Sequence, residues 1–110
     1  MEIGYMLTME DLKPFFDQVR IEINGISFQF TKEEDMAGEL AVWHSKKYKV
    51  LATPNFDEVP VPIEVSEIDE NGDYNIIDVE GHYGEVNSFE QYAEIVKTLT
   101  KKILDSHKTQ

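Results

Sequence analysis

The chain contains no cysteine. That absence excludes a disulfide framework, a thiolate zinc site, an iron–sulfur cluster and a cysteine nucleophile. No apolar run approaches the roughly 18 residues that a membrane-spanning helix needs. The N-terminal residues 1–5 carry neither the basic region nor the apolar stretch of a signal peptide. We therefore expect a cytoplasmic protein.

The sequence also lacks the common motifs of catalysis and cofactor binding. It has no glycine-rich phosphate loop and no G-x-S-x-G nucleophile elbow. His44, His82 and His107 are far apart in the chain, and no two of them have the spacing of a helical metal site. The segment 69–73 has Asp and Asn at alternate positions, as a calcium loop does, but Tyr74 stands where that loop requires glycine. We therefore expect no metal, no cofactor and no enzymatic activity.

A hairpin over residues 19–30 is the clearest structural element. Asn24-Gly25 is a favoured pair for a two-residue type I′ turn, because both positions need positive φ. This turn pairs Ile21 with Phe28 and places the apolar residues of both strands on one face. The turn and the hydrophobic pattern therefore predict the same register.

Two further strands are predicted after a polar connection at 31–38. They cover Leu40–His44 and Tyr48–Thr53, and apolar residues fall on both faces of the pair. Leu40, Val42 and Leu51 share one face, and Ala41, Trp43 and Val50 share the other. This pattern indicates a pair of strands that is covered on both sides.

A second hairpin is predicted from strands at Val61–Ile68 and Tyr74–Glu80. A three-residue loop at 70–72, with Gly72 in the left-handed conformation, fixes its register. The predicted pairs are Val65 with Ile77 and Ile63 with Val79. Prolines near the start of the first strand, at 54, 60 and 62, predict that it lies at a sheet edge.

Helices are predicted at both ends of the sequence. Thr8–Asp11 is a capping box before a short helix from about Leu12 to Gln18, and Ser88 with Gln91 forms another before a helix that reaches about Ser106. The expected fold is α+β: one globular domain over 1–110, with an antiparallel sheet of about five to six strands arranged as hairpins or a meander. The short N-terminal helix precedes the sheet, and the long C-terminal helix packs on it.

Positive charge is missing from the middle of the chain. Residues 50–96 contain no lysine or arginine but twelve acids, so this segment alone carries −12, the net charge of the whole chain. Residues 1–49 carry −3 and residues 97–110 carry +3. Like charges repel and weaken a compact state. The acids therefore either serve solubility or face a basic partner.

One-sided acidity disfavours binding to nucleic acid or anionic membranes and favours a basic protein. An acidic surface would steer a nucleic-acid-binding protein into contact, and twelve carboxylates match the charge of roughly 20 Å of duplex. We therefore expect a non-enzymatic, stoichiometric inhibitor. It would be a nucleic-acid mimic of the anti-restriction or anti-CRISPR kind, or an immunity protein against a basic toxin. The expected contact residues are Asp57, Glu58, Glu64, Glu67, Asp69, Glu70, Asp73, Asp78, Glu80, Glu85 and the loop aromatic Phe56.

Two other functions stay open at this point. A structural or accessory subunit of a phage or mobile-element assembly would use the acidity for solubility alone, and pairing of copies through an edge strand would favour it. An enzyme or small-ligand site around His82, which lies between Gly81 and Gly84, is the third possibility. Of the other aromatic residues, Trp43 is expected in the core, and Tyr83 is a further candidate for a partner contact.

Overall fold

The structure, a computed structural model, describes residues 6–55 and 59–108. Its elements in chain order are α1 (Met9–Leu12), a short 3-10 helix (Lys13–Phe15), β1 (Arg20–Ile23), β2 (Ile26–Asp35), β3 (Gly38–His44), β4 (Tyr48–Leu51), β5 (Val61–Ile68), β6 (Tyr74–His82) and α2 (Phe89–Lys108).

The six strands form one antiparallel sheet in the order β1 to β6, so each strand pairs with its neighbours in the chain. The long helix α2 packs on one face, where Tyr92, Val96 and Ile103 join the core with residues of the sheet. We call this the helix face and the opposite side of the sheet the open face. The arrangement confirms the predicted α+β meander with its two helices.

The first hairpin has the predicted turn and register. Asn24 and Gly25 have φ values of 54° and 78°, as a type I′ turn requires. Ile21 pairs with Phe28, and beyond the strand the backbone N–H of Phe30 donates to the carbonyl of Val19. The register follows from the turn because one slip would turn every apolar side chain to the wrong face.

Stacked aromatic rings form the centre of the core on the helix face. The ring of Phe30 lies 4.4 Å from Trp43 and 4.7 Å from Phe16, measured between centroids. It also contacts Phe89 and Tyr92 of α2, at 5.5 and 6.0 Å. Phe30, Trp43 and Tyr92 are completely buried. The predicted core position of Trp43 is confirmed.

The polar segment at 31–38 is not a connection but mostly strand, so that prediction is wrong. β2 continues to Asp35 and pairs residue by residue with β3 as far as Gly38. Its charged residues find partners across the sheet, as Lys32 Nζ lies 3.1 Å from Glu39. This end of the ladder extends into solvent, where a strand needs no apolar face. The predicted faces of β3 and β4 are confirmed by their register.

The N-terminal helix begins and ends earlier than predicted: it starts at Met9, directly after Thr8 of the capping box, and not at about Leu12. The backbone N–H of Thr8 donates to the Asp11 carboxylate at 2.9 Å, which completes the capping box. The helix does not reach Gln18, because it tightens into a 3-10 turn around Pro14 and ends at Phe15. Proline cannot donate the hydrogen bond that would continue an α-helix.

The strand that follows the prolines lies inside the sheet, so its predicted edge position is wrong. β5 pairs with β4 on one side and with β6 on the other. The ladder with β4 begins only at Glu64, paired with Leu51. Pro62 therefore lies beyond that ladder, and its missing N–H breaks no bond to β4.

The start of α2 is capped largely as predicted. The Ser88 hydroxyl accepts the backbone N–H of Gln91 at 3.1 Å. The Gln91 side chain bonds the backbone N–H of Asn87 and the carbonyl of Glu85, so it fastens the preceding loop as well. The helix is therefore held in place at the point where the chain leaves β6.

Candidate binding surface at the β6 edge

A β-bulge in β6 decides which side chains of the second hairpin face α2. From the turn to the pair Ser66–Ile76, the register is the one that a three-residue loop predicts. Ile77 is then an extra residue, and the later pairs are Val65 with Asp78, Glu64 with Val79, Ile63 with Glu80 and Val61 with His82. The predicted partners of Val65 and Ile63 are therefore wrong by one residue.

The bulge exchanges the two faces of β6 beyond Ile77. Asp78, Glu80 and His82 now lie on the helix face, where the sequence pattern predicts apolar side chains. Val79 lies on the open face and is 54% exposed. Polar residues are tolerated on the helix face of β6 because it is the last strand of the sheet. Glu80 there lies 3.4 Å from Lys102 of α2.

Exposed apolar side chains of β6 line the open face. Tyr74, Ile76 and Val79, which we call the apolar strip, are 48%, 61% and 54% exposed. Val79 also borders an open recess of about 380 Å³ whose wall includes Leu40 and Leu51. Contiguous exposed apolar residues on a sheet are typical of interaction surfaces.

The turn between β5 and β6 is organised by Asp69. Its carboxylate accepts the backbone N–H groups of Asn71 and Asp73 at 2.9 and 3.0 Å and the side-chain amide of Asn75 at 3.1 Å. These bonds, that of Asp73 above all, hold the pKa of the Asp69 carboxyl below its ordinary value of 3.8. Gly72 has a φ of 86°, the predicted left-handed conformation. Asp69 therefore supports the turn.

Replacing Asp69 with alanine is expected to destabilise the protein in a pH-dependent way. The folded-state pKa is lowered, so the ionised carboxylate contributes stability above the ordinary value of 3.8. That contribution disappears as pH falls through the lower folded-state pKa. Urea unfolding of the wild type and Asp69→Ala at a series of pH values measures the difference.

Glu70→Ala is the matched control, because Glu70 is exposed in the same turn. Its unfolding midpoint should stay close to that of the wild type at every pH. A stability difference for Asp69→Ala that grows below pH 3.8 would contradict the assigned role.

The predicted contact residues lie in several places. Glu64 is on the open face, whereas Glu67 lies 3.7 Å from both Lys47 and His107. Asp69, Glu70 and Asp73 lie at the turn, Asp78 and Glu80 on β6, and Glu85 in the loop before α2. Asp57, Glu58 and Phe56 lie outside the described residues. The acids of the middle segment therefore do not form one flat patch, and several follow the β6 side of the sheet.

Five exposed acids follow the free edge of the sheet. They are Glu70, Asp73, Asp78, Glu85 and Glu94, and we call them the acidic edge. Glu94 belongs here because it borders a small recess of about 210 Å³ with His82, between β6 and α2. None of the five has a salt bridge to a cationic side chain among residues 6–55 and 59–108. Sequence reasoning missed Glu94, since only the packing of α2 brings it beside β6.

His82 does not form part of a polar cluster. Its Nε2 is buried without a hydrogen-bond partner and lies against Gly84, where an added Cβ would come within 3.0 Å. Within the described part of the chain, no group of three or more His, Asp or Glu side chains is placed to hold a metal ion. In the same residues, neither helix combines the length and apolar character needed to cross a bilayer.

Comparison with protein-family models, with curated proteins and with solved structures finds no match for this chain.

Proposed function

We propose that this chain is a non-enzymatic binding protein whose acidic edge docks a basic protein, as a stoichiometric inhibitor of a nucleic-acid-binding protein would. The observation that carries the proposal is the unneutralised charge of the middle segment. Ten of its twelve acids lie in described residues, and only Glu67 and Glu80 have cationic partners there. Among the lysine and arginine side chains of residues 6–55 and 59–107, only Lys47 and Lys102 form salt bridges with acids of this segment, at 3.7 Å from Glu67 and 3.4 Å from Glu80.

The contrast with the first half of the chain supports a binding role for these acids. In that half Glu10, Glu33 and Glu39 each have a lysine within 3.1 Å. Carboxylates that only serve solubility need no segregation from lysines, and segregation costs repulsion. A basic partner would relieve that repulsion and would be attracted to the edge from a distance.

The sign and the location of the charge support the proposal more than its spacing does. β6 has nine residues and spans about 30 Å. A duplex of that length carries roughly 18 phosphate charges, whereas the acidic edge has five carboxylates. The partner surface that fits is therefore a set of well-separated lysines and arginines.

A charge-reversal pair at the acidic edge tests the proposed function. Glu70→Lys with Asp73→Lys should weaken binding of a purified basic DNA-binding protein, with core histones as the probe, by at least about tenfold. Both side chains are exposed at the turn, and neither is the turn acceptor Asp69. Wild-type binding should also fall steeply with added salt, and duplex DNA should compete for the probe.

The matched control is Glu22→Lys with Glu34→Lys. These acids are exposed on β1 and β2, and the double change alters the net charge by the same amount. The control should keep most of the binding. Equal losses for both pairs would mean that net charge alone attracts the probe, and binding that ignores salt would contradict a charge-driven interface.

A further inference from the structure

β6 is a long strand with one side unpaired. Within the described residues it pairs only with β5, and it is nine residues long, whereas strands usually have five or six. Such an edge offers a row of backbone N–H and C=O groups to another extended chain. Peptides are often bound by addition of a strand to an edge of this kind.

The edge keeps a backbone donor at its centre. The N–H of Val79 donates to the carboxylate of Asp78 at 2.8 Å, which is a bond to its neighbour's side chain. An incoming strand could take over this donor and free the carboxylate for a cation. Acids along an edge also discourage indiscriminate pairing, which would otherwise lead to aggregation.

The two faces of β6 define the side chains that an added strand should carry. Residues directly opposite each other on neighbouring strands share a face. Apolar side chains of the added strand would lie beside the apolar strip on the open face. Basic side chains would lie beside Asp78 and Glu80 on the helix face. Lysine or arginine alternating with apolar residues satisfies both faces at once.

Charge excludes a second copy of this chain as the favoured occupant. Pairing of β6 with β6 of another copy would bring Asp73, Asp78 and Glu80 of both chains together. Each chain also carries a net charge of −12. Like charges directly opposite each other on neighbouring strands are destabilising. A basic extended segment meets attraction at the same positions.

We propose that β6 binds its partner by strand addition, taking up an extended segment in which basic and apolar side chains alternate. The proposal rests on the proposed function, because it names the form in which the basic partner docks. The bulge at Ile77 is what makes the surface two-sided. It turns Val79 to the open face, where it joins Tyr74 and Ile76, and it leaves Asp78 and Glu80 together on the helix face.

A peptide of about eight residues that alternates lysine and valine, long enough to form one strand, is the probe. Titration into the full chain should give a one-to-one complex, and amide hydrogen exchange should slow across residues 74–82. Replacing the valines with serine keeps the charge but removes the apolar face, and it should weaken binding by at least about fivefold. Two further peptides carry N-methyl groups on alternate backbone nitrogens, one at the odd-numbered positions and the other at the even-numbered positions. Only one of the two should lose binding, because the N–H groups along just one edge of the peptide donate to β6.

Two neutral double variants separate the edge from general acidity. Asp78→Asn with Glu80→Gln should weaken binding of the lysine–valine peptide by about fivefold to tenfold. Glu22→Gln with Glu34→Gln removes the same charge from exposed positions on β1 and β2, outside the acidic edge, and should change binding by less than about twofold. The asparagine can still accept the N–H of Val79, so the strand itself should persist.

The outcomes distinguish this proposal from the proposed function. If the serine peptide and both N-methylated peptides bind as tightly as the lysine–valine peptide, strand addition is overturned. The charge-driven interface of the proposed function would then still be tested separately by the histone measurement. No binding of the lysine–valine peptide would also overturn strand addition, whatever the histones do. Self-association of the chain through β6 that the peptide does not displace would show that a second copy is the occupant, and this too would overturn it.

Discussion

Replacing Phe30 with alanine is expected to lower the free energy of unfolding by about 3–5 kcal/mol. The side chain is completely buried, and its ring lies between Phe16, Trp43 and the two aromatic residues of α2. Truncation removes its transfer free energy and leaves a cavity that rigid neighbouring rings cannot fill. A domain of this size has about 5–15 kcal/mol of stability in total, so the loss should be severe. Urea unfolding measures it.

Ile76→Ala is the control for that experiment. Ile76 is 61% exposed in the apolar strip, so its truncation should change stability by no more than about 0.5 kcal/mol. A large loss at Ile76 would mean that the open face is covered in solution. A small loss at Phe30 would mean that the aromatic cluster is not the centre of the core.

Replacing Tyr92 with phenylalanine is expected to cost about 1–3 kcal/mol, although it removes only one oxygen. The Tyr92 hydroxyl donates to the carbonyl of Ala52 at 2.6 Å and accepts the indole N–H of Trp43 at 3.2 Å. Both partners lie in the buried core and would lose a hydrogen bond that no water replaces. Tyr83→Phe is the control, because Tyr83 is 75% exposed and should tolerate the change.

The loss of unfolding free energy in Tyr92→Phe should also change with pH in the alkaline range. Burial raises the pKa of the Tyr92 phenol above its ordinary value of 10.0, with the bond from Trp43 acting weakly in the other direction. A raised folded-state pKa stabilises the fold below the ordinary value, and this contribution is lost as pH rises above it. The stability gap between the wild type and Tyr92→Phe should therefore narrow above pH 10.0. A gap that widens there would contradict the burial of this hydroxyl.

The sequence predicted elements whose local and long-range signals agree. At Asn24-Gly25 the turn chemistry and the apolar alternation demand one register, and the structure has it. The bulge at Ile77 has no comparable signal, because apolar residues occur at both 76 and 77 and either could face the core. Only packing against α2 decides between them, since Ile77 contacts the core and Ile76 does not.

The sequence predicted which kind of residue the candidate site contains, but not how those residues are arranged on the surface. Counting residues revealed the acidic middle segment, yet its acids lie on both faces of the sheet and on α2. The sequence pattern already places Tyr74 and Ile76 opposite the buried face, but Val79 was missed because the predicted register buried it beside Ile63, whereas the bulge exposes it. The predicted register gives a hairpin with a solvated acidic face. The one extra residue in β6 instead gives a surface with an apolar side and an acidic side.

The order of the elements along the chain has a consequence for synthesis. All six strands pair with sequence neighbours, so the ladder can form as the chain leaves the ribosome. Helix α2, which covers the apolar face of the sheet with Tyr92, Val96 and Ile103, is made after all six strands. Until then the nascent sheet exposes Phe30, Trp43 and their neighbours to other chains. The capped start at Ser88 shortens this interval, because the helix can form and dock as soon as it emerges.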